Sequence, residues 1–162
     1  ADSRGYDAGK KINGRKRHIV TDTLGLLVVV MVTTAGLQDR DGGRGVLGRA
    51  RMKVPSIVLV WADGGYAGKL VAFAHRHFRI LVEIIKRTDK RPTFEVLPRR
   101  WVIERTNSWL MRTRRLARDY ERLPEHSEAM VKWTMIGLMT RRLAPSPGRR
   151  PWQPATPPKA TS

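Results

Sequence analysis

The lead-in up to His18 is polar and glycine-spaced, and β-branched runs follow it. Ile19-Val20-Thr21 and the stretch 26–34 flank Asp22-Thr23-Leu24-Gly25. Two such runs around an Asp/Gly turn predict a β-hairpin. Residues 35–45 hold Gly36, Gly42, Gly43 and Gly45 beside Asp39 and Asp41, which predicts a loop capping a short helix through Met52, stopped by Pro55. Residues 56–61 form a short continuous apolar run, the pattern of a buried strand, ended at once by Ala62-Asp63-Gly64-Gly65. A helix is expected over about 67–77, a strand over 80–85, a charged turn over 86–92 and a further short strand over 93–97. No Gly or Pro occurs from Arg99 to Arg118, where Val102, Trp109 and Leu116 recur every seven residues beside Ile103, Leu110 and Ala117. That is a helical stripe. Pro124 opens a second helix, with Met130, Trp133, Met135, Ile136, Leu138 and Met139 as its apolar content, running to Leu143. Hairpin, helix, strand, helix, strand, helix predicts a mixed α/β domain over residues 1–143. Residues 144–162 hold six of the ten prolines and no acid, and read as a disordered Pro/Arg-rich tail.

At 162 residues the length suits one domain. Lys plus Arg number 32 against 14 Asp plus Glu, a formal charge of +18. That surplus favours a polyanion partner, because basic side chains bind phosphate backbones largely by counterion release. The absence of cysteine excludes a disulfide scaffold, a thiolate metal site and a cysteine nucleophile. The longest apolar run, residues 24–32, is too short for a membrane helix of about 20 residues. No secretory leader opens the sequence, and a start at Ala1 leads us to expect an upstream part.

Asp63 closes an apolar strand and precedes two glycines, a position where open α/β sheets bind ligands, outside the carboxyl ends of strands. The simpler alternative is a cap on the following helix. Glu104 lies one step from the Ile103/Leu110 stripe among Arg99, Arg100 and Arg105, either as a solvated ion-pair partner or as a metal ligand. Two carboxylates in a basic cleft suit Mg²⁺, which takes carboxylates together with substrate phosphates. Arg100, Arg105, Arg112, Arg114, Arg115 and Arg118 on the long helix, and a cluster including Lys16 and Arg17, are candidate phosphate contacts. Gly64 to Lys69 falls one residue short of a phosphate loop and continues with Leu70. His75 and His77 point to different helix faces, and Trp101, Trp109 and Trp133 read as core.

Several linked motifs then resemble one family. They are Gly5-Tyr6-Asp7-Ala8-Gly9-Lys10-Lys11; Gly14 to Val20 with Asp22 to Leu26; Gln38-Asp39-Arg40-Asp41; Trp61 to Tyr66; and Arg99 to Arg105 with Trp109-Leu110 and Arg114-Arg115-Leu116. Together, over about residues 4–143, they resemble the DDE transposases of bacterial insertion sequences. The resemblance implies an RNase H-like mixed sheet with flanking helices, and metal-dependent DNA strand cleavage and transfer. The family's second acid falls on Asp63 and its final glutamate on Glu104, with the preceding arginine at Arg100. A basic residue is expected seven positions after the glutamate; here that position is Met111, with Arg112 adjacent.

The family's first catalytic Asp lies on a strand upstream of the Gly-Tyr-Asp-Ala-Gly-Lys stretch, and only five residues precede Tyr6. The expectation is therefore a partial catalytic domain lacking the first central strand, with no first catalytic Asp in the chain. Lys16, Arg17, Arg100, Arg105 and Arg112 are the expected DNA contacts. In the intact enzyme the acids would hold two Mg²⁺ ions. Element ends and target DNA are the implied partners, no membrane is involved, and a homodimer or larger synaptic oligomer in the bacterial cytoplasm, at the nucleoid, is implied. The alternatives are a truncated, non-catalytic derivative that competes with full-length transposase, and an unrelated basic RNA-binding protein.

Overall fold

The computed structural model describes residues 3–85 and 98–144, the first three of the second stretch by backbone alone. The strand expected over 93–97, the tail beyond Ala144 and the side chains of Arg99 and Arg100 lie outside the described residues.

A three-stranded antiparallel sheet comes first, in the order β1 (Gly5–Asp7), β2 (Ile12–Thr21), β3 (Leu27–Thr34). The hairpin is as expected, but its first strand starts at Ile12 and takes in the basic cluster read as lead-in. The turn follows from its residues. Asp22 accepts from the Leu24 and Leu26 amides at 2.9 and 2.8 Å, and Gly25 takes φ +80. Only glycine adopts that conformation without strain. β2 and β3 pair from Arg15↔Thr34 to Val20↔Val29, where the register shifts. β1 covers only Ile12 to Gly14 on the other edge of β2.

Helix α1 (Asp39–Lys53) runs straight through glycines expected to be loop. Gly42 and Gly43 are buried there, where a Cβ would meet His18 and Leu70. Close packing, rather than chain reversal, explains them.

A second sheet pairs β4 (Leu59–Ala62) in parallel with β5 (Leu81–Ile84), and α2 (Lys69–Phe78) is the crossover between them. β4 is shorter and more open than its apolar run predicts: Val58 is 68% exposed. One edge of β4 pairs with β5, and among the described residues no strand lies on the other.

The long helix expected to reach Arg118 is interrupted. α3 (Pro98–Met111) stops, Arg112 and Thr113 break it, and one turn, α4 (Arg114–Ala117), follows. α5 (Pro124–Leu143) begins at Pro124 as predicted, with the proline in its first turn where a missing N–H costs nothing.

Two apolar clusters hold these elements. Val30 and Val32 of β3 pack with Leu110, Leu116, Val131 and Met135 from α3, α4 and α5. Leu47, Leu70, Ala74, Ile80 and Val82 join α1, α2 and the second sheet. Trp101 and Trp133, expected in the core, are 49% and 69% exposed. The architecture is mixed α/β, a small antiparallel sheet and a parallel pair with flanking helices.

Candidate active site

Asp63 follows the last residue of β4, and its carboxylate accepts from the Gly65 amide at 3.0 Å, capping a single 3-10 turn over Gly64–Tyr66. The cap alternative is thus realised on this turn, while α2 begins separately behind Gly68 at φ +90. The carboxylate itself stays on an exposed residue. A Cβ on Gly65 would lie 2.8 Å from Asp39 Oδ2 and 3.2 Å from Asp63 Oδ1, so two acids from separate elements converge on this glycine. Lys16 pairs with Asp39 at 3.3 Å and Asp7 at 3.5 Å, and donates to the Leu37 carbonyl at 3.0 Å. These groups border a recess of about 340 Å³ lined also by Gln38, Arg40 and Gly64.

Beneath the recess His18 is 1% exposed, its ring nitrogens 2.9 Å from the Tyr66 hydroxyl and 3.0 Å from the Thr33 hydroxyl. Burial holds the His18 pKa below the ordinary imidazole value. Burial, then the nearby Asp39 and Asp63 carboxylates, push the Tyr66 phenol up, so it stays protonated and able to donate.

Glu104 lies on α3, which docks on the hairpin turn. Buried Thr106 donates to the Gly25 carbonyl at 2.7 Å, and Arg105 donates to the Leu24 carbonyl at 2.9 Å. Glu104 is exposed, and its neighbours Ile103 and Asn107 line a cavity of about 1230 Å³ that Asp63 also borders. Residues three apart on a helix are neighbours, so Glu104 stands beside the cavity-lining face of α3. The remaining walls come from β2, β4 and α1. Left dry, such a space would cost about 30 kcal/mol at roughly 24 cal/mol per Å³, well above a domain's stability of about 5–15 kcal/mol. Water or polypeptide must therefore fill it.

Residues 1–138, which span the hairpin, the Asp63 turn and the Glu104 helix, match the family model described as the transposase DDE domain. The chain belongs to this family. A Burkholderia cepacia protein described as a transposase for insertion sequence element IS402 is 31% identical over 126 residues, covering 74% of this chain and 59% of that protein. The chain thus spans about three fifths of that relative's length. No solved structure matches it.

For a DDE-family chain, the placement of the basic residues is informative. Lys16 is held by Asp7 and Asp39, and Arg17 donates to the Leu116 carbonyl at 2.9 Å, its pKa lowered by burial. Arg105 lies 5.0 Å from the Trp109 ring centroid besides holding Leu24. Arg112 is exposed at the α3–α4 break. Of the expected DNA contacts with described side chains, Arg112 is the one most open to a phosphate.

Members of the family use divalent metal ions. Among the described residues, no three His, Asp or Glu side chains are grouped so as to hold one. Asp63 and Glu104 on their own do not make a two-ion cage, so the described residues do not fit a complete metal centre. Asp39, His18 and Tyr66 border the Asp63 end of the cavity or support it, and sequence reasoning gave them no role. Asp39 stood inside a quoted motif, whereas His18 was absorbed into a basic run.

Proposed function

We propose that this chain is part of the catalytic domain of a DNA transposase, able to cut and join DNA strands once the domain is complete and inactive on its own. The domain is read as RNase H-like, with its central strand supplied from beyond the described residues. Asp63 and Glu104 are its catalytic acids, and Mg²⁺ is the ion of the completed enzyme. The observation that carries this reading is the position of Asp63, at the carboxyl end of β4 and on the rim of a cavity whose opposite wall is the Glu104 helix. Supporting it, the charge of +18 suits a DNA partner, with Arg112 and Arg100 on the helix that carries Glu104.

The test is a supercoiled-plasmid nicking assay with Mg²⁺, run beside a salt titration of DNA binding. The expected result is salt-sensitive binding with no nicking above background, unchanged by Asp63→Asn. Mg²⁺-dependent nicking lost on Asp63→Asn would show the site to be complete and refute the inactivity. Absence of DNA binding would refute the transposase reading. A second reading, a non-catalytic DNA-binding derivative that competes with full-length transposase, is favoured by the lack of a three-ligand group among the described residues. It predicts that adding the chain lowers transposition by the intact enzyme.

A further inference from the structure

We infer that the space between β2 and β4 is a receptor for one added β-strand, an apolar β-branched peptide segment that binds by main-chain pairing to both edges. The inference deepens the reading of an incomplete domain, and it rests on backbone geometry.

On β2, the Gly14 carbonyl accepts from the Ala35 amide at 3.0 Å, on the β3 side. Main-chain polar groups alternate sides with period two along a strand. The even-numbered residues of β2 therefore face β3, and Arg17 and Ile19 present their N–H and C=O to the opposite edge. β1 covers that edge only at Ile12 to Gly14. On β4, the Val58 and Ala62 carbonyls accept from the Leu81 and Ile85 amides, both at 2.8 Å. By the same alternation Leu59 and Trp61 point away from β5. All four of these residues line the cavity, and among the described residues no strand pairs with either edge there.

The two edges run in opposite directions. Lys16, early in β2, shares a recess with Gly64 and Gly65 just past the end of β4. At the other end Lys53, six residues before β4, donates to the Val28 carbonyl beside the hairpin turn at 2.8 Å. One inserted strand can thus run antiparallel to β2 and parallel to β4, about 4.8 Å from each. In that orientation its carboxyl end arrives beside Asp63.

The faces of the space specify the side chains. His18 of β2 packs on Gly42 of α1, and Arg17 reaches Leu116 of α4, so α1 and the α3–α4 segment cover opposite faces of the hairpin. Val46 and Leu47 line the cavity from one side, and Val102 and Ile103 from the other. A strand buried on both faces is apolar throughout, hence an Ile/Val segment.

The probe is a synthetic peptide, Lys-Ile-Val-Ile-Val-Asp-Lys with blocked ends, titrated into the full chain. Its control carries N-methyl groups on alternate amides. The expected result is saturable binding at least tenfold weaker for the control, with slowed amide exchange at Arg17, Ile19, Leu59 and Trp61. Equal binding of both peptides, or protection confined to other surfaces, overturns the inference. A second arm joins the peptide to the amino terminus through a Gly/Ser linker. The tethered strand should raise the urea midpoint above that of a tether with prolines at alternate positions, and equal midpoints also overturn it. DNA binding is measured on the same samples. Retained salt-sensitive DNA binding without strand uptake rejects the receptor and leaves the transposase reading standing; loss of DNA binding alone rejects that reading and not this one.

Discussion

Replacing Gly42 by Ala is a stringent test of how α1 meets the first sheet. In a helix interior Gly→Ala ordinarily stabilises by about 0.8–1.0 kcal/mol. Here the new Cβ would lie 2.3, 2.4 and 2.9 Å from Nε2, Cε1 and Cδ2 of His18. The ring cannot swing aside freely, since it is fully buried and held by Tyr66 and Thr33 at 2.9 and 3.0 Å. Overpacking costs about 1–3 kcal/mol, and displacing the imidazole from a buried hydrogen bond costs about 1–3 kcal/mol more. Set against the propensity gain, the net effect is a loss of about 1–5 kcal/mol. Urea denaturation followed by far-ultraviolet circular dichroism reads this as a midpoint lowered by roughly 1 M or more, given slopes of about 1–3 kcal/mol/M. Gly137 of α5 is the internal control. Its Cβ would meet nothing nearer than Arg141 at 3.9 Å, so Gly137→Ala should raise the midpoint. Adding His18→Ala to Gly42→Ala should cost less than the sum of the two single changes, because the clash is removed. A Gly42→Ala protein as stable as the parent, or strict additivity in the double variant, would refute the packing argument.

Glu128 is buried on α5 and accepts from the Val32 amide at 3.1 Å and from Arg49 at 2.9 Å. Glu128→Ala leaves that amide unpaired and should destabilise by about 1–3 kcal/mol, read as a lower thermal midpoint. His18, with its pKa depressed by burial, binds protons more readily in the unfolded chain. Stability should therefore be full above about pH 6.5 and fall as pH drops through the interval down to the folded-state value, by at most about 1.4 kcal/mol per pH unit. Urea midpoints at pH 7.5 and 5.5 check this, and His18→Gln should remove the part due to this residue. DNA affinity should fall by about 0.9 log units per log unit of salt for each phosphate neutralised. Arg112→Ala should weaken binding to all sequences about equally and flatten that slope.

The features legible in the sequence were those whose causes lie within a few residues. Asp22 and Gly25 make their own turn, Pro124 opens its own helix, and β-branched runs mark the hairpin and the parallel pair. The linked motifs around Asp63 and Glu104 carried the family, because motif order survives without coordinates. Features set by a distant partner were not legible. The glycines of α1 read as loop because their cause is a histidine ring 24 residues earlier and a leucine 27 residues later. Trp101 and Trp133 read as core because periodicity gives a helix a stripe without saying whether a neighbour covers it. Lys16 and Arg17 read as DNA contacts, whereas charge alone does not say which acid or carbonyl lies within reach. The convergence of Asp39 and Asp63 on Gly65, and the facing edges of β2 and β4, arise only when separate elements pack. Local propensity acts through neighbouring backbone and side chains, whereas a site or a cavity is a property of surfaces that the chain brings together from far apart.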